Sequence, residues 1–184
     1  MPLHPNAQAV QDALDAAGAT DASGQPCRVH ILPDAVHTAP AAAAALGVEV
    51  GQIANSLIFQ LSDQITEAAA SDNAAQAAAS DKTADDEPLL ILTSGAHRVD
   101  TDKIAKELRK ELKRAKPDFV KRHTGQVIGG VSPLGHPKPV RTLVDTALAQ
   151  YDEVWAAGGV PQAVFPITYA ELVRITAGTP ADVA

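Results

Sequence analysis

The chain has 184 residues, of which 46% are hydrophobic and 20% charged, enough for one domain with a real core. Aromatics are only 3%, so that core must be built from Val, Ile, Leu and Ala. A net charge of −7 argues against a protein that coats nucleic acid through bulk charge. The single cysteine, Cys27, excludes an internal disulfide and a cysteine-cluster zinc site, and suits a reducing cytoplasm. No apolar run approaches a membrane span, and the first residues lack the basic-then-apolar order of a signal peptide.

In chain order, residues 5–17 read as a short helix with Val10 and Leu14 on one side. A loop over Gly18–Pro26 leads to a strand at Arg28–Leu32. Thr38 caps an alanine-rich helix that runs to Leu46 and stops at Gly47. Ile53–Leu61 is a strand. Residues 62–87 hold seven carboxylates against Lys82, with no aromatic, Leu or Val. Such a composition buries too little surface to offset its ordering entropy, and it predicts a mobile insertion between two strands of a hairpin.

Leu89–Thr93 is a continuous apolar run and reads as a buried strand. Asp100 or Thr101 caps a helix predicted from Asp102 to about Arg114, with Ile104, Leu108 and Leu112 as its buried stripe. Residues 103–122 carry nine cations against three carboxylates, which gives a basic face either solvated or aimed at phosphate. Phe119-Val120 starts a short element. Strands follow at Gln126–Val131, Arg141–Asp145, Glu153–Ala157 and Ala163–Thr168, then a helix at Tyr169–Thr176. Many short strands with a few helices and no regular alternation give an α+β class with a mixed sheet, in one domain over 1–184.

The most informative stretch is Gly125–Gly135, Gly-Gln-Val-Ile-Gly-Gly-Val-Ser-Pro-Leu-Gly, followed by His136. Glycine lets another molecule approach the main chain, and Pro133 stiffens the turn. Such a loop presents N–H groups to an anion or a polarised carbonyl. Ser132 reads as a turn serine, since no nucleophile elbow surrounds it. His37 stands at a helix start and His136 in a loop. His97 and His123 lack metal-ligand spacing. Asp145 either orients loop groups or caps the next turn, and Cys27 is a buried small residue rather than a nucleophile. No acid/base pair stands out, which fits a positioned water attacking a carbonyl held by loop N–H groups.

Four blocks carry a resemblance: His37-Thr38 through Ala54-Asn55-Ser56-Leu57-Ile58-Phe59, Leu90–Arg109, Thr124–Pro139, and Asp152–Ile175 with Trp-Ala-Ala-Gly-Gly. The chain resembles the YbaK/ProX family of trans-editing aminoacyl-tRNA deacylases. The resemblance implies a curved mixed sheet flanked by helices, with a pocket at one side. It also implies hydrolysis of the ester joining a small mischarged amino acid to the tRNA 3′ end, without cofactor or metal. The implied partners are an aminoacyl-tRNA 3′ end and, as a second candidate, an aminoacyl-tRNA synthetase; no membrane is involved. Carried onto this sequence, the catalytic candidates are Asn55, Gly129, Gly130 and Ser132. The substrate-binding candidates are His37, Gly125, Pro133, Gly135, His136 and Asp145. The family's usual Ala-Lys-Ser/Thr-Leu pattern is replaced by Asn55, which hydrogen-bonds but carries no charge. The alternative reading is therefore a catalytically weak or inactive module that keeps the fold and pocket and binds aminoacyl-tRNA ends, nucleotides or a protein partner.

Overall fold

The computed structural model describes residues 2–63 and 86–184. The expected mobile insertion at 62–87 lies almost entirely outside them; Ser62, Asp63 and Glu87 are strand residues. Five helices are present among the described residues: α1 (Pro5–Ala17), α2 (Ala39–Leu46), α3 (Thr101–Leu108), α4 (Pro117–Thr124) and α5 (Tyr169–Thr176). Eight strands form one mixed sheet: β1 (His30–Ile31), β2 (Ile53–Asp63), β3 (Glu87–Ser94), β4 (Lys110–Arg114), β5 (Arg141–Asp145), β6 (Val154–Ala157), β7 (Ala163–Ile167) and β8 (Thr179–Ala181). Their order is β1-β7-β6-β2-β3-β5-β8, with β4 also on β2. This is the α+β mixed sheet that the sequence predicts. Among the described residues no helix is long and apolar enough to cross a membrane.

β3 shows why the sheet is covered on both faces. Leu89, Leu90, Ile91 and Leu92 are all fully buried. Leu90 and Leu92 join Val10, Leu14, Phe119, Phe165 and Leu172 under α1, α4 and α5. Leu89 and Ile91 face the other way, onto Phe59, Leu61 and Ile104 of α3. A continuous apolar run is what a strand buried on both faces requires.

The basic stretch departs from the sequence reading. The helix starts at its Asp100 cap but ends at Leu108, because Arg109 adopts a left-handed backbone (φ 53°). Lys110–Arg114 is then a strand, paired antiparallel with Phe59–Asp63. Leu112 still packs beside Leu61 and Ile104, reached by strand pairing instead of a helical turn. The basic helix face is thus divided. Lys103 pairs with Asp182, Lys110 with Asp63 and Glu87, and Lys113 with Glu111.

Two other strands differ. The first shrinks to His30–Ile31, because Gln11 clamps the residues before it: its amide donates to the Cys27 carbonyl and accepts from Val29 N–H. Residues 126–131 form no strand.

Asp145, at the end of β5, ties three segments. Its buried carboxylate accepts from Ser94 N–H (3.0 Å), Thr93 Oγ1 (3.4 Å), His97 Nδ1 (3.1 Å) and Ala147 N–H (2.9 Å). Removing it strands several buried donors at once. Asp145→Ala is expected to lower unfolding free energy by about 3 kcal/mol or more. Urea titration checks this: the midpoint should fall with the slope unchanged.

Candidate functional site

The site begins as a gap in the hydrogen-bond ladder. β3 covers one edge of β2 from Ala54 to Leu61. On the other edge β6 pairs only with Ile53 and Ala54, and β4 only with Phe59–Asp63. Among the described residues no strand pairs with residues 55–58 on that side. The Ile58 carbonyl uses this edge to accept from Ala115 N–H (3.2 Å). By the alternation of an antiparallel strand, the N–H and C=O of Ser56 point into the same gap. The Ser56 hydroxyl is also buried and has no hydrogen-bond partner among the described residues.

A cleft of about 240 Å³ opens over this gap. Its apolar end is formed by Ala39 and Ala42 of α2, Ile53, and Trp155 of β6. His37, Asn55, Ser56, Ile128, Gly129 and Arg114 complete the lining that matters for chemistry. His37 and Asn55 are exposed, and Asn55 makes no side-chain hydrogen bond among the described residues.

Gly129 sits against His37. Its φ of +93° is a conformation that side chains rarely adopt, and a Cβ there would lie 3.1 Å from His37 Nδ1. Its own N–H has no partner among the described residues. Gly130 is different: its N–H donates to the Val127 carbonyl, and a Cβ would come within 2.7 Å of the Val160 main chain. Gly130 therefore seats the loop on the β6–β7 turn.

The loop holds its shape through a side-chain brace. Gln126 is buried; its carbonyl accepts from Ser132 N–H (2.7 Å) and its amide donates to Ser132 Oγ (2.9 Å). Ser132 Oγ donates in turn to the Leu134 carbonyl (2.5 Å). These bonds replace a strand ladder, which is why 126–131 is a loop. They also consume Ser132, which is fully buried and is not on the lining of this cleft.

The remaining candidates lie outside the cleft lining. Gly125 ends α4 and Gly135 passes close to Ala9 and Val10 of α1. Pro133 is buried. His136 Nε2–H donates to the Ser132 carbonyl (2.8 Å), which leaves Nδ1 the acceptor in the neutral ring. Burial pushes its proton affinity below the usual imidazole range, partly offset by that hydrogen bond. Asp145 is occupied in its own network. Cys27 is buried, and desolvation with nearby Asp21, Glu171 and Glu153 pushes its thiol up to about 12, so it is no nucleophile at neutral pH.

Of the sequence candidates, His37, Asn55 and Gly129 are therefore brought together. Sequence reasoning missed Ser56, Arg114 and Trp155 as lining residues, and Gln126 as the brace. No group of three His, Cys, Asp or Glu close enough to hold a metal occurs among the described residues.

A gap in a strand edge, capped by a glycine loop and lined by neutral polar groups, can be compared with known proteins. Residues 33–175 match the model of the aminoacyl-tRNA editing domain. The chain belongs to that family. The editing domain is 36% identical, over 99% of its length and 98% of the other's, to a protein described as a "putative trans-editing enzyme for prolyl tRNA synthetase", with a TM-score of 0.79. It is 34% identical, over 98% of both chains, to a structure from work on grafting linear epitopes onto scaffold proteins, also at 0.79. A hypothetical protein at 24% identity and TM-score 0.74 shares the fold. The expected YbaK/ProX membership is thereby met.

The editing domain's brace can be tested apart from its chemistry. Gln126→Ala leaves Ser132 N–H unpaired in a dry interior and is expected to cost about 2–3 kcal/mol of stability by urea unfolding. Ser132→Ala, at low denaturant, should leave the turnover of any ester substrate within a few-fold of wild type.

His136 sets a pH dependence. The folded state resists its protonation, so the unfolded state binds more protons below about pH 6.5, and stability is lost as pH falls through that value. Wild type should lose more stability between pH 7 and pH 5 than His136→Gln, measured by urea midpoints at both values.

Proposed function

We propose that the protein is an aminoacyl-tRNA deacylase acting in trans, hydrolysing the ester between a small mischarged amino acid and the 3′ end of a tRNA. The family and the similarity to a protein described as a trans-editing enzyme support the reaction class. The observation that carries the reading is main chain without a partner among the described residues on both sides of one cleft: Ser56 N–H on the open β2 edge and Gly129 N–H on the loop.

Donors fixed in advance stabilise the oxygen of an ester carbonyl as it gains charge on attack, without reorganising at that moment. In this reading Ser56 N–H and Gly129 N–H receive that oxygen. Asn55 and His37 flank it from the solvent side. Asn55 orients the attacking water through its amide, and His37, held beside Gly129, accepts the water's proton and returns one to the leaving ribose hydroxyl. The apolar end formed by Ala39, Ala42, Ile53 and Trp155 takes a small uncharged acyl side chain and keeps competing water out. No covalent intermediate is needed.

The test is a deacylation assay against a panel of mischarged tRNAs. Gly129→Ala should lower kcat/KM by about tenfold or more, because the methyl group presses on His37 and the backbone leaves its left-handed conformation. Asn55→Ala should lower kcat, and Asn55→Lys should tighten binding of the aminoacylated end by adding a cation. Unfolding curves are recorded in parallel, since alanine at a positive φ also costs stability. If folded Gly129→Ala and Asn55→Ala both hydrolyse like wild type, the working site lies elsewhere. If the wild type binds the aminoacylated end but hydrolyses nothing, it is a binding module on the same fold.

A further inference from the structure

We propose that Arg114 is the phosphate anchor of this cleft, receiving the phosphodiester of the nucleotide that bears the ester, and that it thereby fixes which way round the ligand lies. The inference rests on the deacylase reading for the identity of the ligand, but it is carried by separate observations.

The first is position. Arg114 ends β4 opposite Phe59, so it forms the far wall of the gap in the β2 edge. A smaller cavity of about 60 Å³ adjoins the main cleft, and the two share Ser56, Leu57, Ile128, Gly129, Val131 and Arg114. Together they make one groove with Arg114 on the lining of both parts.

The second is charge. Neither cavity is lined by Asp, Glu or Lys, and Arg114 is the one cation on either lining among the described residues. Lys103, Lys110 and Lys113 of the same basic stretch are each paired with a carboxylate. Arg114 has no carboxylate within ion-pair distance among the described residues. Its charge is therefore available to a ligand, and the groove selects anions at this end. Beyond it, exposed Lys116 at the N-cap of α4 and Lys121 and Arg122 on the helix continue the positive surface, with Asp118 the one carboxylate on α4.

The third is chemical fit. The planar guanidinium fork matches the two non-bridging oxygens of a phosphodiester, which it holds bidentately. The same charge repels the α-ammonium of an aminoacyl group. The acyl moiety therefore lies at the opposite end, against Ala39, Ala42, Ile53 and Trp155, where no cation lines the cleft. The nucleotide then leads out past Arg114 and Ile128.

The experiment compares two probes that differ only in a phosphodiester. One is adenosine carrying a non-hydrolysable alanyl amide at its 3′ position; the other is the same molecule carrying a methyl phosphodiester at its 5′ position. Affinities are measured for the full-length protein at one low ionic strength. Wild type should prefer the phosphodiester probe by about tenfold, the scale of one charge-assisted hydrogen-bonded contact. Arg114→Gln should reduce that preference to less than about twofold, and Arg114→Lys should keep part of it. Lys106→Glu, a charge change on α3 outside both linings, should leave it intact. Circular dichroism and urea midpoints confirm that each variant is folded. A folded Arg114→Gln that keeps the full preference overturns the assignment, and so does a wild type with no preference or no binding of either probe. The matching alanyl esters are assayed alongside. Arg114-dependent preference without hydrolysis of either ester upholds the anchor and overturns the deacylase reading instead.

Discussion

β2 is eleven residues long, and the strands that share its outer edge do not meet. β6 takes the beginning and β4 the end, and the residues between are left without a ladder partner. An unpaired stretch of buried strand is costly unless something satisfies it, because each main-chain group left dry and unbonded carries a desolvation penalty. Most of the molecule is arranged around that gap. The glycine loop leans over it, α2 and Trp155 close one end, and the turn into α4 supplies Ala115 to satisfy the Ile58 carbonyl. What remains open is a small set of oriented donors and acceptors in an apolar setting. Such a setting strengthens polar contacts with whatever enters it.

The glycine-rich block divides its labour. Most of it is structural: Gln126 and Ser132 lock the two ends of the loop together, His136 braces the Ser132 carbonyl, Gly130 lets the loop press on Val160, and Gly135 lets it pass α1. Only Ile128, Gly129 and Val131 of the block reach the cleft. A single N–H is thus held in place by several buried hydrogen bonds, and rigidity of this kind is what positions a donor before charge develops.

Elements with a local signal were legible in the sequence. α2 shows its Thr38 cap and its Gly47 stop, and β3 shows its unbroken apolar run. β4 was not legible, because Lys110–Arg114 continues the helical spacing of Ile104 and Leu108, and nothing marks Arg109 as a residue that turns left-handed. Tertiary demand, an open edge on β2, overrides a good local helix pattern there. The site was legible in part for the same reason. His37, Asn55 and Gly129 stand inside recognisable blocks. Arg114 was counted among many cations, and its placement depends on a strand that the local pattern hides. Ser132, His136 and Asp145 have the right chemistry for catalysis, but three-dimensional packing spends that chemistry on the scaffold.

The passage from α3 to β4 has a consequence for how this chain can vary. Arg109 converts helix to strand with no loop between, so the five residues that follow enter the sheet at a set phase. Strand side chains alternate with a period of two. A single-residue insertion between Arg109 and Arg114 would exchange the two sets: Leu112 would leave its apolar cluster, and Lys113 would come to the place that Arg114 now holds opposite Phe59; a deletion would displace Leu112 likewise and bring Ala115 to that place. Elsewhere a surface loop absorbs a change of length at small cost. Here one residue gained would swap a forked cation for a point charge at the cleft wall, one residue lost would leave no charge there, and either would open a hole in the core beneath it. This stretch is therefore a ruler whose length is fixed at both ends, by the core on one side and by the cleft on the other.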